Sequence, residues 1–351
     1  MNAEKAIAWL KEIIAIPSFS GSEERVAALV EEIWRSYGYP VRRQGNNRWV
    51  CSKHWEAGKP VLLLDAHIDT VKPSGAWESD PFSPCITGGK LIGLGSNDTG
   101  GSIVSMMAAF LQLDAHPQPY NLICLSSAEE ENTGSGGIQS VIPALGEIAL
   151  AIVGEPTGMH PAIAEKGLMV LDGVAKGVAG HAAREEGVNA IYKALTDVEW
   201  FRNYRFERVS ELLGAVKMSV TGIEAGTLHN VVPSECRYMV DVRVNEHYSN
   251  VEVLEVIRQH VKSEVTPRSF SLNSSSISRE HPVVKRCEAL GRLPYGSPTT
   301  SNQAAIPYPS LKLGPGDSAR SHTANEYILL EEIEQGIDLY VEILEQTSLG
   351  S

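Results

Sequence analysis

Acidic and histidine side chains stand at four points where predicted buried strands end, at residues 65–69, 95–101, 127–131 and 153–157. A fifth such segment, residues 314–326, follows a predicted strand late in the chain. Ligand-binding loops of α/β proteins lie at the carboxyl ends of the sheet strands. Imidazole and carboxylate groups are ligands that Zn²⁺ and similar divalent ions accept. The five segments together therefore predict a metal centre at one edge of a sheet.

Each segment taken alone has a simpler explanation. His67 and Asp69 lie on the same side of a strand, and such a pair is usually a buried hydrogen bond. The adjacent glutamates of residues 129–131 would ordinarily form a solvated face, and the glycines around Asp98 are equally compatible with a simple turn. Like charges crowded at the end of a buried strand are costly, however, unless a cation neutralises them. The combination favours the metal centre.

The pattern of apolar residues predicts an α/β fold. Residues 60–67, 121–126 and 148–154 are apolar almost throughout, which is typical of strands buried on both faces. Residues 101–111 between them predict a helix, as do residues 330–344 near the end of the chain. Strands that alternate with helices indicate a sheet layered by helices.

The pattern changes near residue 166 and changes back near residue 273. The intervening residues predict a strand, a helix up to about residue 200, two strands and a second helix over 250–265. This order is similar to a ferredoxin-like α+β domain. We therefore expect a larger α/β domain, residues 1–165 and 273–351, that carries an inserted domain of residues 166–272.

Composition limits the possible partners and the cellular compartment. With 30 basic and 43 acidic residues the formal net charge is −13, which disfavours nucleic acids and anionic membranes. No segment has the apolar length of a membrane span, and the first residues lack the apolar core of a signal peptide. The five cysteines are scattered and odd in number, which predicts free thiols and a cytoplasmic protein.

The five segments, in this order and with these spacings, resemble the M20 family of metallopeptidases and amidohydrolases, and most closely its acetylornithine deacetylase branch. The resemblance covers nearly the whole chain. It implies a catalytic domain with two metal ions, Zn²⁺ or alternatively Co²⁺, and an inserted lid domain that usually forms a homodimer.

The resemblance also implies a role for individual residues. His67, Asp98 and Glu155 match the ligands of one ion, and His322, Asp98 and Glu130 match those of the other, so that Asp98 bridges the two. Asp69 matches the carboxylate that orients the His67 ring. The peptide bond between Asp98 and Thr99 is expected to be cis.

Glu129 matches the general base of the family. Because three glutamates follow one another, however, the alignment with the family could be shifted by one residue. In the alternative register Glu130 is the base and Glu131 is the ligand. A second departure from the family pattern follows Asp98, where the family often has Met-Lys-Gly and this chain has Thr-Gly-Gly. We expect this change to affect packing and to leave metal binding intact.

Three residues of the inserted domain match family positions outside the metal centre. His181 matches a histidine that reaches the active site of the dimer partner and stabilises the oxyanion. Asn230 and Arg243 match positions that bind polar groups of the substrate, and an arginine suits a carboxylate because its planar fork donates two parallel hydrogen bonds. The alternative for Arg243 is an ion pair with Asp241 or Glu246.

These matches predict a hydrolase that removes an acetyl or succinyl group from an amino acid such as ornithine or citrulline, in arginine biosynthesis. One alternative is a dipeptidase or aminopeptidase that uses the same residues. Another is a metal-binding protein without catalysis, which the presence of a base and of His181 disfavours because neither is needed to hold a metal.

Overall fold

The computed structural model describes residues 2–184 and 186–349. The chain divides into two compact units. The first comprises Met1–Ile163, Ser276–Tyr295 and Ser301–Ser351, and the second comprises Ala164–Ser275 and Gly296–Thr300. Residues 296–300, which the sequence analysis assigned to the larger domain, pack with the inserted unit instead. The reason is local, because the Ser297 carbonyl accepts the Lys166 N–H (3.1 Å) and the Thr300 hydroxyl donates to the Lys166 carbonyl (3.0 Å).

The helices and strands are numbered in chain order. The helices are α1 (Ala3–Ile14), α2 (Glu24–Ser36), α3 (Gly101–Leu113), α4 (Ile138–Leu145), α5 (Ala190–Asn203), α6 (Asn250–His260), α7 (Pro282–Ala289) and α8 (Leu330–Leu344). The strands are β1 (Arg42–Gln44), β2 (Asn47–Cys51), β3 (Val61–His67), β4 (Cys85–Thr87), β5 (Lys90–Ile92), β6 (Asn121–Ser127), β7 (Leu150–Val153), β8 (Ala162–Glu165), β9 (Gly167–Lys176), β10 (Gly180–His181), β11 (Lys217–Ala225), β12 (Val231–Val232), β13 (Glu235–Val244), β14 (Glu264–Pro267), β15 (Ser275–Ser276), β16 (Tyr295–Ser297), β17 (Ser310–Lys312) and β18 (Tyr327–Leu329).

The large sheet has the order β1-β2-β6-β3-β7-β17-β8-β15, and β16 pairs with β8. Its four central strands, β6, β3, β7 and β17, are mutually parallel. Their carboxyl ends therefore lie along one edge of the sheet. A smaller sheet of β18, β5 and β4 belongs to the same unit.

Helices cover both faces of the large sheet. Along β3, Leu62 and Leu64 join the core that contains α1, α3 and α8, whereas Val61 and Leu63 join the core beneath α4. This alternation explains why the strand is apolar without interruption, since a strand between two helical layers has no solvent face. The predicted α/β class is confirmed for this unit.

The inserted unit is a four-stranded antiparallel sheet in the order β11-β13-β9-β14. Buried residues of α5 and α6, among them Ala194, Phe201 and Leu254, share one core with those of β9 and β13. The strand-helix-strand-strand-helix order agrees with the predicted ferredoxin-like unit, and β14 adds a strand that was not expected.

Two helix predictions in this unit were too long. The first helix begins at Ala190, because Gly180 and His181 form the two-residue strand β10 and pair with β12. The second helix ends at His260, because the next backbone N–H groups of Lys262 and Ser263 donate to the buried Asp197 carboxylate. In both places pairing over long sequence distances overrides the local helical pattern.

All five cysteines are free thiols. Among the described residues, the helices are too short or too polar to cross a membrane.

Candidate metal centre

The parallel strands place the predicted site residues at one edge of the large sheet. His67 is the last residue of β3, and the three glutamates follow β6. Glu155 follows β7, and the loop that leads to His322 follows β17. Sequence positions that are more than 200 residues apart therefore meet at this edge.

Asp98 lies between the two histidines and presents one carboxylate oxygen to each. Its Oδ1 is 3.3 Å from Nε2 of His67, and its Oδ2 is 3.5 Å from Nε2 of His322. Glu131 lies on the His322 side, with Oε1 at 3.0 Å from the same Nε2 atom. One ligand atom each of His67, Asp98 and Glu131 lies within 4.8 Å of the others. This arrangement fits a carboxylate that bridges two cations.

Asp69 holds the ring of His67 and the loop of the glutamates together. The Nδ1 atom of His67 lies 2.9 Å from the Asp69 carbonyl and 3.5 Å from its carboxylate. The same carboxylate accepts hydrogen bonds from the backbone N–H groups of Glu130 and Glu131, both at 3.0 Å, and from the Ser20 hydroxyl at 2.6 Å. Asp69 therefore orients a predicted ligand and fixes the backbone of two more, which fits its predicted role.

The geometry favours the second register of the glutamates. The carboxylate of Glu131, and not that of Glu130, lies beside His322. Glu130 Oε2 is 3.9 Å from Nε2 of His67, which places it next to the ligand cluster. The choice of Glu129 as base and Glu130 as ligand therefore disagrees with the structure.

The Glu129 side chain forms its hydrogen bond within its own loop. Its backbone adopts a left-handed conformation (φ 55°), and its carboxylate accepts the backbone N–H of Gly136 at 3.0 Å. The buried Glu23 accepts the Glu129 N–H, and Asn47 accepts the N–H of Ala128. These bonds fix the loop and hold the Glu129 carboxylate within it, just before the two glutamates that face the histidines.

Burial and mutual repulsion act on the carboxylates of this cluster. Burial, and then the Asp98 and Glu130 charges, raise the pKa of Glu155 well above its usual value. Burial also raises the pKa of Glu130 to about 8, with a further contribution from Glu131. Burial by itself would lower the pKa of His67, but hydrogen bonds to Asp69 and Asp98 raise it well above its usual value. A cluster in which buried carboxylates repel one another is one that divalent cations stabilise.

The predicted cis bond between Asp98 and Thr99 is confirmed. Of the two glycines that follow, Gly100 is required by close backbone packing, and Gly101 packs against the end of the Ile328 side chain. A Cβ atom on Gly100 would lie 2.4 Å from the Gly95 carbonyl oxygen, and one on Gly101 would lie 2.2 Å from Cδ1 of Ile328. The glycines of the Thr-Gly-Gly sequence therefore allow the start of α3 to pack closely against Gly95 and Ile328. Asp98 still lies beside the two histidines.

Two buried residues of the site escaped the sequence analysis. Glu326 accepts hydrogen bonds from the backbone N–H groups of Gly95, Asn97 and Asp98. The Asn97 side chain accepts the Asp317 N–H (3.0 Å) and donates to the Asp317 carbonyl (3.1 Å). Both residues stand inside segments that the sequence analysis had singled out, but the pattern does not distinguish a residue that positions a ligand from its neighbours.

Of the three predicted residues of the inserted unit, two are exposed and Arg243 is half-buried. His181 is exposed, and its Nδ1 accepts the N–H of Ala183 at 3.1 Å. Asn230 is also exposed, and its carbonyl accepts the Ala182 N–H. Arg243 donates two hydrogen bonds to Asp241, at 2.9 and 3.0 Å, which is the alternative that the sequence had left open.

Comparison with known proteins identifies the family. Residues 63–346 match the model of peptidase family M20/M25/M40, which covers most of the chain and every predicted ligand. The chain belongs to this family. Its members act as metal-dependent hydrolases, and the donor set described above fits the dinuclear metal centre of the family.

Individual relatives differ in what they hydrolyse. Succinyl-diaminopimelate desuccinylase of Stenotrophomonas maltophilia is 27% identical over 95% of this chain and 97% of its own. A tripeptidase of Staphylococcus aureus has a similar structure, with a TM-score of 0.79 at 19% identity and 98% coverage of both chains. A dinuclear metal-binding peptidase of family M20 from Bacillus subtilis has a TM-score of 0.76 at 15% identity and 97% coverage of both chains. The two structures establish the fold.

Proposed function

We propose that this M20 hydrolase removes an acyl group, with succinyl favoured over acetyl, from the nitrogen of an amino acid. The observation that carries the proposal is the pair of histidines on opposite oxygens of Asp98, next to Glu130. The relatives named succinyl-diaminopimelate desuccinylase support the succinyl group and an amino acid of lysine biosynthesis. Acylated ornithine and citrulline, the substrates expected from the sequence, have no such support and remain candidates for the same assay.

The proposed ligands form two sets that share Asp98. His67 and Glu155 complete one set, and His322 and Glu131 complete the other. Zn²⁺ is the ion proposed, with Co²⁺ as a substitute, because nitrogen and carboxylate donors suit both. Bound divalent ions would supply Lewis acidity for the attack of water on the acyl carbonyl.

Glu130 is the proposed general base. Its carboxylate lies beside the ligand cluster, and Asp69 fixes its backbone N–H. In this position it would take a proton from the attacking water and pass it to the nitrogen of the leaving amine. The tetrahedral carbon then loses the amine, and a free carboxylic acid and an amino acid remain.

A peptidase is the second candidate, and the structural similarity to the tripeptidase is the observation in its favour. The test compares kcat/KM for N-succinyl-diaminopimelate, N-acetyl- and N-succinyl-ornithine, N-acetyl-citrulline, and dipeptides and tripeptides. The proposal predicts that an N-acyl amino acid is the best substrate. If the protein prefers peptides with a free amino terminus, it is a peptidase and the deacylase proposal is wrong.

Arg243 is proposed to bind the substrate carboxylate by exchanging its bond to Asp241 for the ligand. We expect Arg243→Ala to lower kcat/KM for acyl-amino acids by about a hundredfold, since a charge-assisted bidentate pair is worth a few kcal/mol. Metal content should not change. The control is the same substrate with its carboxylate esterified, on which the variant should match the wild type. Equal losses on both substrates would leave Arg243 as the structural partner of Asp241 only.

The inserted unit is proposed to pair with a second copy of the chain. Tyr192 and Leu195 project from α5 with 71% and 50% of their surfaces exposed, and Ile223 lies on the edge strand β11 with 49% exposed. Large apolar side chains next to an open strand edge are typical of an interface between subunits. By its match to the family, His181 would complete the site of the partner subunit, with Asn230 as a further substrate contact.

This proposal predicts complementation between two inactive variants. His181→Ala and Glu130→Gln should each be inactive alone, and mixing them under conditions of subunit exchange should restore activity. In the mixed dimer one of the two sites has both groups intact, so about a quarter of wild-type activity is expected from a statistical mixture in which half of the dimers are mixed. Absence of recovery, with exchange demonstrated by tagged subunits, would mean that the site is complete within one chain.

A cytoplasmic location remains a prediction, which rests on the five free thiols.

A further inference from the structure

Glu326 is a buried carboxylate, with 2% of its surface exposed, at the end of the segment that carries His322. Its Oε1 atom accepts the backbone N–H groups of Asn97 (2.8 Å) and Asp98 (2.9 Å), and its Oε2 atom accepts that of Gly95 (3.0 Å). Its own carbonyl accepts the N–H of Gly93 at 3.0 Å. One side chain therefore fixes the backbone of Asp98 and of the turn that leads to it.

The loop that Glu326 holds is irregular and contains a single kinked π-helical turn over Ser96–Gly100. Gly95 has a left-handed backbone (φ 74°), and Asp98 and Thr99 have non-helical dihedral angles immediately before α3 begins. In such a turn the backbone N–H groups need partners from elsewhere in the chain. The Asn97 side chain adds two bonds to Asp317, so that the loop of Asp98 and the loop of His322 are tied together twice.

We propose that Glu326 is a positioning residue that holds Asp98 in the orientation in which each of its oxygens faces one histidine. The inference rests on the proposed metal centre and adds a residue to it. A bridging ligand belongs to both ion sites, so a small rotation of Asp98 would weaken both. Residues that hydrogen-bond to metal ligands or their backbone typically change metal affinity by about 10–100-fold when they are replaced.

The test uses Glu326→Gln, which keeps the shape of the side chain. A glutamine amide has one oxygen acceptor, and its NH₂ group would face a backbone N–H, so at least one of the three bonds is lost. We expect the affinity for Co²⁺, titrated into metal-free protein and followed by its visible absorption, to fall about 10–100-fold. The shape of the cobalt spectrum should change as well, because the ligand orientation changes.

Asp114→Asn is the matched control. Asp114 is a buried carboxylate of the same unit that accepts a backbone N–H from Lys53 (3.0 Å) and the hydroxyl groups of Tyr39 and Ser52. It follows the last residue of α3, about 20 Å from the end where Asp98 stands, given a rise of 1.5 Å per residue. This variant should lower the melting temperature and leave the cobalt affinity and spectrum unchanged.

Glu326→Asp is the second test variant, for use if Glu326→Gln does not fold. Its carboxylate is shorter by one methylene, so it cannot reach all three N–H groups, and about tenfold weaker cobalt binding is expected. Wild-type affinity and spectrum in a folded Glu326 variant would overturn the inference. So would an equal loss of affinity in Asp114→Asn, because the effect would then be general destabilisation. Wild-type protein that binds no cobalt would instead overturn the metal centre itself.

Discussion

Glu130→Gln is expected to abolish hydrolysis while both metal ions stay bound. The amide cannot take a proton from water, and general base catalysis typically contributes about 10²–10⁴-fold to the rate. The Glu130 carboxylate lies 3.9 Å from His67, whereas Glu131 lies 3.0 Å from His322, so the loss of the Glu130 charge leaves the ligand set intact. The measurement is kcat on the best acyl-amino acid, together with the metal content of the same sample.

Glu129→Gln is the control for this result. Its carboxylate accepts the Gly136 N–H within its own loop, and the amide oxygen of glutamine can accept the same bond. We expect activity within a few-fold of the wild type and a loss of stability of at most about 1 kcal/mol. If Glu129→Gln is inactive and Glu130→Gln loses metal, the first register is correct and the assignment from the structure is wrong.

Asp98→Ala is expected to lose both metal ions. Its two carboxylate oxygens face His67 and His322, at 3.3 and 3.5 Å, so its removal takes a ligand from each set. Without Asp98, the remaining buried carboxylates would still repel one another, and none of the other proposed ligands belongs to both sets. Metal analysis after dialysis should find less than one ion per chain, against two in the wild type.

The matched control for Asp98→Ala is again Glu129→Gln, since it alters a carboxylate of the same edge of the sheet that is not a ligand. It should retain two ions per chain. An Asp98→Ala protein that retains both ions would exclude a bridging role, and one that retains a single ion would assign Asp98 to one set only.

The sequence was sufficient to predict the layered sheet and that the candidate ligands meet at one edge of it. The continuous apolar pattern of residues 60–67 predicted a strand buried on both faces, and β3 is such a strand. Parallel strands end at the same edge of a sheet. The acidic and histidine side chains that follow β3, β6 and β7 were therefore expected to lie close together at that edge. Family resemblance was needed to give each residue a role.

The register of the three glutamates could not be obtained from the sequence. Three identical side chains differ only in where the loop directs them, and Glu23, Asn47 and Asp69 decide this through bonds to the loop backbone. These partners come from distant parts of the chain. The same limitation concealed Glu326, whose three bonds to the loop of Asp98 span more than 200 positions.

Local patterns were also insufficient in the inserted unit. Residues after Gly180 resemble a helix start, yet His181 pairs with Val231 in a short antiparallel bridge. Arg243 matched a substrate-binding position, yet its guanidinium is held by Asp241 two residues away on the same face of β13. For His181 the deciding partner lies 50 positions away in the sequence, whereas Asp241 is a local partner that the sequence offered as the alternative for Arg243.

If the proposed metal centre carries out deacylation, turnover must follow the number of metal ions bound to the chain. The protein would be stripped by a chelator and assayed on N-succinyl-diaminopimelate and the other acyl-amino acids while Zn²⁺ or Co²⁺ is added in measured amounts. We expect negligible turnover without metal, and full turnover on at least one acyl-amino acid at two ions per chain. Undiminished turnover in the stripped protein, or a fully loaded protein that hydrolyses none of these substrates, would contradict it.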